Sequence, residues 1–286
     1  AQAGNVQTDV AILADAPAVV AQLLETGFAT SWFPDEFADH VDERYRDPLA
    51  VVMAPNVWAY NTALHDTCPV DNVWALTEPE WARRVTLQDP LGKPSYVDWF
   101  NQMAQHDDAA MAAAYEAHFG QPLPPGEESA TAAWVKALAA NAPLLTDSDA
   151  NAADAVGSPD QQQSFVGLIS TAKFRDNANG MALGLCEGLA PWIGWTYPSI
   201  GVIASGTDSP NAARLFMRYL LTEEGIAPQA IDGKISTRSD IALPADEPSG
   251  IAAFKEALFD YSPRTALDDW ENRQQWQDLW MLNYRR

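Results

Sequence analysis

Two short polar segments contain the side chains of this chain that are best suited to hold a small ligand. The first, DPLGKPSY at 89–96, precedes a stretch with helical periodicity and offers Lys93 together with the hydroxyl groups of Ser95 and Tyr96. Free backbone N–H groups and the positive dipole end make a helix N-terminus a binding site for anions. The competing interpretation is that Ser95 only caps the helix, with Asp98 completing a capping box.

The second segment, STAKFRDN at 170–177, follows the apolar run SFVGLIS at 164–170, which predicts a buried strand. Loops at the carboxyl ends of strands are where open α/β sheets bind ligands. Lys173 and Arg175 form a close basic pair, and Arg can hold a carboxylate or phosphate through two parallel hydrogen bonds. The competing interpretation is that these side chains pair with surface carboxylates such as Asp176.

Aromatic side chains form a third candidate group. Trp58 lies in NVWAYN, and Trp195 and Tyr197 lie in PWIGWTYPSIG. Clefts use such rings to stack on sugars or apolar groups and to exclude water. Core packing is the competing interpretation for each ring taken singly. Asn56 joins the group because it lies, like Tyr197, beside a predicted crossing of the chain.

Composition excludes several classes of protein. The chain has 286 residues, of which 47% are hydrophobic and 20% charged, so it is globular rather than disordered. Its net charge of -22 argues against nucleic acid, because there is no basic surface to displace counterions from phosphates. No metal-binding spacing such as CxxC or HExxH occurs, and we expect no cofactor. Cys68 and Cys186 are compatible with a disulfide or with two buried thiols.

The elements that would position the candidate residues follow an α/β order. DVAIL at 9–13 predicts a strand, and 17–26 predicts a helix that ends at Gly27. AVVMAPNVWAYN at 50–61 predicts a strand interrupted at Pro55. The middle of the chain predicts a strand at 84–90 and helices from Ser95 and over 107–119, 129–140 and 149–156.

The last third of the chain predicts a strand at 200–204 and a helix after Ser209 and Pro210. A stripe of apolar residues at helical spacing is expected to form the buried face of that helix. The stripe consists of Leu215, Phe216, Tyr219 and Leu220. The tail, 250–286, predicts two further helices.

The sequences of several segments resemble those of extracellular solute-binding proteins. TYPSIG, the run SPNAARLFMRYLLTEEG and KISTRSD are similar to the C-terminal half of the members that serve ABC importers for ferric iron, phosphorylated sugars and related small anions. TDVAILADAPAVVAQLLETG, VWAYNTAL, LTEPEWARRVTLQDP and VGLIS precede them in the family's order. Together these segments cover most of residues 8–240.

The resemblance implies a two-lobe α/β fold of the type II periplasmic-binding-protein kind. Mixed sheets flanked by helices would enclose a ligand cleft between the lobes. Lobe 1 would begin with residues 1–60, lobe 2 would comprise 61–197, and 198–286 would return to lobe 1 and add C-terminal helices. The resemblance also implies that the chain begins after a strand–helix–strand segment of ~30 residues.

The implied function is that of the extracytoplasmic solute-binding component of an ABC importer. It would bind a small anionic or polar solute, such as a phosphorylated sugar, without making or breaking a bond. We expect a monomer that docks on a membrane permease, in the periplasm or as a cell-surface lipoprotein. The expected ligand-binding residues are Lys93, Ser95, Tyr96, Lys173 and Arg175 at the polar end, with Asn56, Trp58, Trp195 and Tyr197 covering the rest.

Two alternatives stay open at this point. Ferric-iron members of the family have adjacent tyrosines in the second segment, whereas this chain has Ala172 and Phe174 there and no tyrosine between Tyr115 and Tyr197. That departure favours an organic anion, although iron could be bound by other ligands. A carbohydrate-active enzyme, based on the tryptophan and acid content, is the alternative from a different class.

Overall fold

The computed structural model describes residues 8–285 of the chain. Its strands are β1 Val10–Leu13, β2 Ala29–Thr30, β3 Ala50–Asn61, β4 Val85–Gln88, β5 Leu144–Thr146, β6 Val166–Ser170, β7 Leu183–Leu185, β8 Gly194–Ala204, β9 Ile235–Ser236 and β10 Phe259–Asp260. Within the described range these strands form one mixed sheet in the order β1-β8-β3-β6-β4-β5, with β2, β7, β9 and β10 paired alongside β3 and β8.

Helices flank the sheet. They are α1 Ala16–Val19, which continues as a wider π-type turn over Val20–Leu24, α2 Pro94–His106, α3 Asp108–Phe119, α4 Ala130–Ala140, α5 Asp149–Gly157, α6 Pro210–Leu220, α7 Glu223–Ala230 and α8 Ala266–Asn283. Serine side chains cap two of them: Ser129 accepts the Ala132 N–H at 2.9 Å, and Ser148 accepts the Asn151 N–H at 3.2 Å.

The two long strands β3 and β8 connect the two halves of the sheet. The first part of β3 pairs with β9 at Val52 and Met53, and its last part pairs with β6 from Asn56 to Tyr60. β8 runs antiparallel to β3 and extends beyond it to pair with β1. The chain therefore passes between a half built on β1 and β9 and a half built on β4 to β6, which is the expected two-lobe arrangement.

The predicted interruption of β3 at Pro55 is wrong. Pro55 pairs with Thr196 of β8, and the strand runs without a break from Ala50 to Asn61. On its other side, Pro55 falls between the stretch paired with β9 and the stretch paired with β6. Because that side has no registered neighbour at this position, the missing proline N–H leaves no ladder bond unmade.

The expected role of Ser95 as the N-cap of α2 is also wrong. Lys93 is the N-cap residue and makes no side-chain capping bond, and Pro94 is the first helical residue. Proline suits that position because it has no N–H to lose. The core-facing side of α2 contains Val97, Phe100 and Met103, which are 0–1% exposed.

Helix α6 turns a different face to the core from the one that periodicity indicated. The buried residues are Ala213, Met217 and Leu220, whereas Leu215, Phe216 and Tyr219 are 64%, 40% and 47% exposed. Met217 packs against Gly201 of β8, where a Cβ atom would lie 2.9 Å from the sulfur. Two apolar stripes overlap on this helix, and either could be buried on periodicity alone. The close packing of Met217 against Gly201 buries the stripe that contains Met217.

The tail contains one helix rather than two. Residues 251–257 form short 3₁₀ turns, and α8 is the following long helix. Trp280 of α8 is fully buried and stacks against Phe100 of α2, with ring centroids 6.1 Å apart. α8 also packs along α4 and reaches α1, so it contacts both halves of the molecule.

Cys68 and Cys186 form a disulfide, which resolves the alternative that the sequence left open. The bond joins the segment after β3 to the turn after β7, and Cys186 is fully buried. Disulfides persist in oxidising compartments, so this bond is typical of an exported protein.

Candidate functional site

Three neighbouring strands end at the same edge of the sheet. β4 is parallel to β5 with Gln88 opposite Thr146, and parallel to β6 with Thr86 opposite Gly167. The residues that follow these strands are therefore brought together, as the rule for open α/β sheets predicts. We call this region the strand-end site and define it by Lys93, Ser95, Asp149, Ser170 and Lys173.

Lys93 and Ser95 supply the side of the site formed by α2. The turn before them is fixed by Asp89, which accepts the N–H groups of Leu91 at 3.0 Å and of Lys93 at 2.9 Å. The Lys93 side chain is exposed and makes no ion pair within 4.0 Å with any described residue. Ser95 is 7% exposed, and its hydroxyl has no hydrogen-bond partner among residues 8–285. A nearly buried hydroxyl without a partner, at a helix N-terminus, is suited to bind an anion.

Asp149 is the acidic residue of the site. It is the first residue of α5, and its Oδ1 accepts the backbone N–H of Ser170 at 3.0 Å. Burial raises the pKa of Asp149, while the Ser170 N–H, the charges of Lys173 and Lys93 and a hydrogen bond from the Ser170 side chain oppose that rise. Both lysines are therefore close enough to act on this carboxyl group.

The segment after β6 separates its two basic side chains. Arg175 turns towards the segment before β9, where its Nη2 donates to Asp232 Oδ2 at 2.7 Å and its Nε donates to the Ala172 carbonyl at 2.9 Å. The partner is Asp232 rather than the neighbouring Asp176. Lys173 is half-buried and forms no ion pair within the described part of the chain. Lys173 is thus available to bind a ligand, whereas Arg175 is held in an ion pair with Asp232.

Asn56 belongs beside the strand-end site. It lies opposite Ser170 in the β3–β6 pair, at the point where β3 crosses between the halves of the molecule. Its side chain is half-buried, and among residues 8–285 it makes no side-chain hydrogen bond. A carboxamide in that situation has two donors and an acceptor available for a ligand.

The aromatic residues proposed for the site lie in the core instead. Trp58, Trp195 and Tyr197 are 1%, 0% and 5% exposed, and Tyr96 is 1% exposed. Trp195 stacks on Trp99 with ring centroids 5.3 Å apart. These rings have no surface to offer a solute in this arrangement, so they pack the core and are left out of the strand-end site.

A network of charges crosses from one half of the molecule to the other beside these rings. Arg273 of α8 donates to both oxygens of Asp98, at 2.7 and 2.8 Å, and to Asp15 at the start of α1, at 2.5 Å. The Tyr197 hydroxyl donates to Asp98 at 2.7 Å. Burial raises the pKa of Asp98, and the bonds from Arg273 and Tyr197 oppose that rise. Sequence patterns gave no indication of this network, because its members are up to 258 residues apart.

A cavity of about 640 Å³ lies elsewhere, beside Thr196 of β8, and it contains none of the residues predicted for the site. Its basic side chains are already engaged. Arg44 pairs with Asp260 at 3.1 Å, and Arg238 pairs with Asp240 at 2.6 Å. We favour the strand-end site over this cavity because Lys93 and Lys173 are not engaged in that way.

Asp149 and Ser170 are the members of the site that sequence reasoning did not single out. The segment DSDANAADAVGS at 147–158 begins like a calcium loop, but Ala152 replaces the turn glycine and Ser158 the final glutamate. The useful signal was the short apolar pair before it, Leu144 and Leu145, which forms β5 and places Asp149 at a strand end. Within the described residues, no three His, Cys, Asp or Glu side chains are grouped as a metal site requires.

Comparison with protein families gives a match over residues 1–233 to bacterial extracellular solute-binding proteins. Since this match covers most of the chain, the protein belongs to that family. A search of curated proteins gives no match. Among the helices that the structure describes, none is both long and apolar enough to span a membrane.

Solved structures share the fold at low sequence identity. Iron-bound HitA from Pseudomonas aeruginosa is 16% identical with a TM-score of 0.69, over 96% of this chain and 83% of that one. The ferric binding protein from Campylobacter jejuni is 16% identical with a TM-score of 0.69, over 100% and 86%. An ABC transporter structure from Clostridium perfringens is 13% identical with a TM-score of 0.66, over 99% and 85%.

Proposed function

We propose that this protein is the solute-binding component of an ABC importer and that it binds a small organic anion, such as a phosphorylated sugar, at the strand-end site. The observation that carries the proposal is the pair of unengaged lysines, Lys93 and Lys173, beside the unpartnered hydroxyl of Ser95. In a chain with a net charge of -22, two free cations at one strand edge favour an anionic solute.

The fold supports a binding role that includes closure of two lobes. The crossing strands β3 and β8 would serve as the hinge, with Asn56 at the hinge and next to the solute. We assign lobe 1 to residues 1–60, lobe 2 to 61–197 and the return to 198–286, with α8 lying against both lobes. The closed form would dock on a membrane permease, and the protein would transform no substrate.

The location that we propose is outside the cytoplasm, in a periplasm or anchored at the cell surface. The Cys68–Cys186 disulfide supports this location, because such bonds are rare where thiols are kept reduced. The family match points the same way. We propose a monomer with no bound cofactor.

Ferric iron is the second candidate solute, and the similarity to iron-bound HitA from Pseudomonas aeruginosa and to the ferric binding protein from Campylobacter jejuni is the observation that favours it. Against it, the turn after β6 contains Ala172 and Lys173 and no tyrosine. Adding ferric iron to the metal-free protein tests this candidate. A visible charge-transfer band at one equivalent would favour iron, and its absence would favour the organic anion.

The proposal is tested by a thermal-shift panel of sugar phosphates, phosphonates, carboxylates and metals, preceded by native mass spectrometry of the purified protein. A solute present at 100 times its Kd stabilises the folded state by about 2.7 kcal/mol. We expect at least one organic phosphate or carboxylate to raise the melting temperature. A panel in which only metals or neutral sugars do so would contradict the proposal, and turnover of a glycoside would indicate an enzyme.

Variants then locate the binding site. Each charge-assisted hydrogen bond contributes about 1.5–3 kcal/mol, so Lys93→Ala and Lys173→Ala should each weaken binding about 10- to 100-fold. Arg44→Ala is the matched control, since it removes a cation from the separate cavity. Loss of affinity in Arg44→Ala alone would move the site to that cavity.

A further inference from the structure

The side chain of Arg273 joins two segments that follow strand ends in different lobes. Asp15 comes directly after β1 of lobe 1, and Asp98 lies near the start of α2, which follows β4 of lobe 2. The carboxyl ends of strands are where open α/β sheets bind ligands. Because one guanidinium group bonds both carboxylates, it fixes the distance between these two segments.

The bond between Arg273 and Asp98 is the more firmly held of the two. Asp98 is fully buried, and it accepts from Arg273 Nε at 2.7 Å, from Nη2 at 2.8 Å and from the Tyr197 hydroxyl at 2.7 Å. The guanidinium also lies over the Trp270 ring, 5.1 Å from its centroid. Since α8 packs mainly along α2 and α4, Arg273 moves with lobe 2. Breaking this bond would leave a buried charge without a partner.

The bond between Arg273 and Asp15 is the one that can be released. The Asp15 side chain is 43% exposed, and it accepts from Nη2 at 2.5 Å and from Nη1 at 3.4 Å. Water can replace the guanidinium as the partner of an exposed carboxylate, so separating this pair costs much less than separating a buried pair. Asp15 Oδ1 also accepts the Ala18 N–H at 3.1 Å, a bond within α1 that does not depend on Arg273. Separation of the lobes would therefore break the bond to Asp15, part α8 from α1 and leave the bond to Asp98 intact.

We propose that the ion pair between Arg273 and Asp15 is a latch that holds the two lobes closed and is released when they open. This inference rests on the lobe closure that the proposed function includes, and it does not depend on which solute is bound. A solute enclosed between the lobes requires the closed form. The latch therefore raises the apparent affinity for the solute by raising the fraction of the free protein that is already closed. The bond to Asp98 persists in both forms, so the buried carboxylate keeps its cation throughout.

Single-molecule energy transfer between dyes on the two lobes tests the latch without any solute. Ala117 on α3 of lobe 2 and Ala212 on α6 of lobe 1 are exposed and can be replaced by cysteine for labelling, since the native cysteines are joined in a disulfide. The latch is removed by Asp15→Asn and by Asp15→Ser. Both variants lose the charge and keep a side chain that caps a helix well.

The expected effect is a larger open population in both variants. An exposed ion pair shifts an equilibrium by up to about 5-fold, and a charge-assisted hydrogen bond shifts it by at least about 10-fold. The partial exposure of Asp15 places the latch between these two cases. We therefore expect the ratio of open to closed molecules to rise about 5- to 10-fold in Asp15→Asn and Asp15→Ser.

Asp35→Asn is the matched control. Asp35 is an exposed carboxylate of lobe 1 that forms no ion pair within 4.0 Å with any residue in the range 8–285. Its replacement removes the same charge from the same lobe and should leave the distribution of distances as in wild type.

The outcomes separate the latch from the proposed function. If the Asp15 variants keep the wild-type distribution, or if Asp35→Asn opens the lobes equally, the latch is wrong. The proposal of anion binding is unaffected by either result, because the thermal-shift panel tests it on the wild-type protein. A panel without an anionic hit would contradict the proposed solute and leave the measurement of the latch standing.

Discussion

The buried carboxyl group of Asp269 makes a quantitative prediction about stability and pH. This residue of α8 is 1% exposed and accepts hydrogen bonds from Asn101 at 2.7 Å, Gln102 at 2.8 Å and the Tyr261 hydroxyl at 2.5 Å. Burial raises its pKa from 3.8 to about 7, against the opposing effect of these three donors, and the nearby charge of Asp98 adds to the rise.

The direction in which stability changes with pH follows from proton linkage. Between pH 4 and 7 the folded state holds a proton on Asp269 that the unfolded state has lost, so stability is highest at the acidic end. The contribution is lost as pH rises through 7. A shift from 3.8 to about 7 corresponds to on the order of 4 kcal/mol, at 1.36 kcal/mol per pKa unit.

Denaturant unfolding of wild type and Asp269→Asn at pH 4.5, 6, 7 and 8 tests this. The amide cannot ionise, so the free energy of unfolding of wild type minus that of the variant should fall by about 3–4 kcal/mol from pH 4.5 to 8. Asp268→Asn is the control, since Asp268 is adjacent, exposed and bonded to the same Asn101. A difference that does not change with pH would refute the reasoning.

Three further predictions concern stability. Arg273→Met leaves Asp98 buried without its cation, and chemical denaturation should show a loss of about 3–5 kcal/mol; a loss under 1 kcal/mol would mean that the network contributes little. Cys68→Ser opens a loop with a sequence separation of 118, so the free energy of unfolding should fall by up to about 5 kcal/mol, and an unchanged melting temperature would contradict this. Gly194→Ala places a Cβ 2.1 Å from the Asn56 carbonyl oxygen and should cost at least about 1–3 kcal/mol, whereas Gly188→Ala meets nothing within 4 Å and should be neutral; equal effects would refute the packing argument.

Much of the fold could be predicted because local signals and periodicity agree. The helix predicted over 149–156 is confirmed as α5, and Gly27 after the first helix marks a boundary that the structure confirms, with a φ of +71°. The strand over 164–170 was predicted from its unbroken apolar run, and β6 occupies its last five residues. These signals depend on neighbours in the sequence, which is why they can be read from it.

The predictions that were wrong concern packing that depends on residues distant in the sequence. The burial of Met217 rather than Phe216 on α6 depends on the space above Gly201, a residue from another strand. Pro55 is tolerated in β3 because of where β6 and β9 begin and end along it. Neither fact has a local signature, so periodicity and propensity predicted the element but not its packing.

Part of the candidate site could likewise be predicted from the sequence, and part could not. The rule that strand ends gather at one edge brought Lys93 and Lys173 together, although the chain separates them by 80 positions. The rule does not predict the ion pair between Arg175 and Asp232, and it does not predict which tryptophans are buried. Trp195 lies in an aromatic segment of the kind that lines clefts, but in the structure it stacks on Trp99 in the core.

The most direct test of the central claim is a crystal structure with the solute that the thermal-shift panel identifies. We predict that the solute lies at the ends of β4, β5 and β6, with its anionic group within hydrogen-bond distance of Lys93 Nζ, Lys173 Nζ and the Ser95 hydroxyl. Density for the solute in the cavity lined by Arg44 and Arg238, with the strand-end site occupied only by water, would contradict the account.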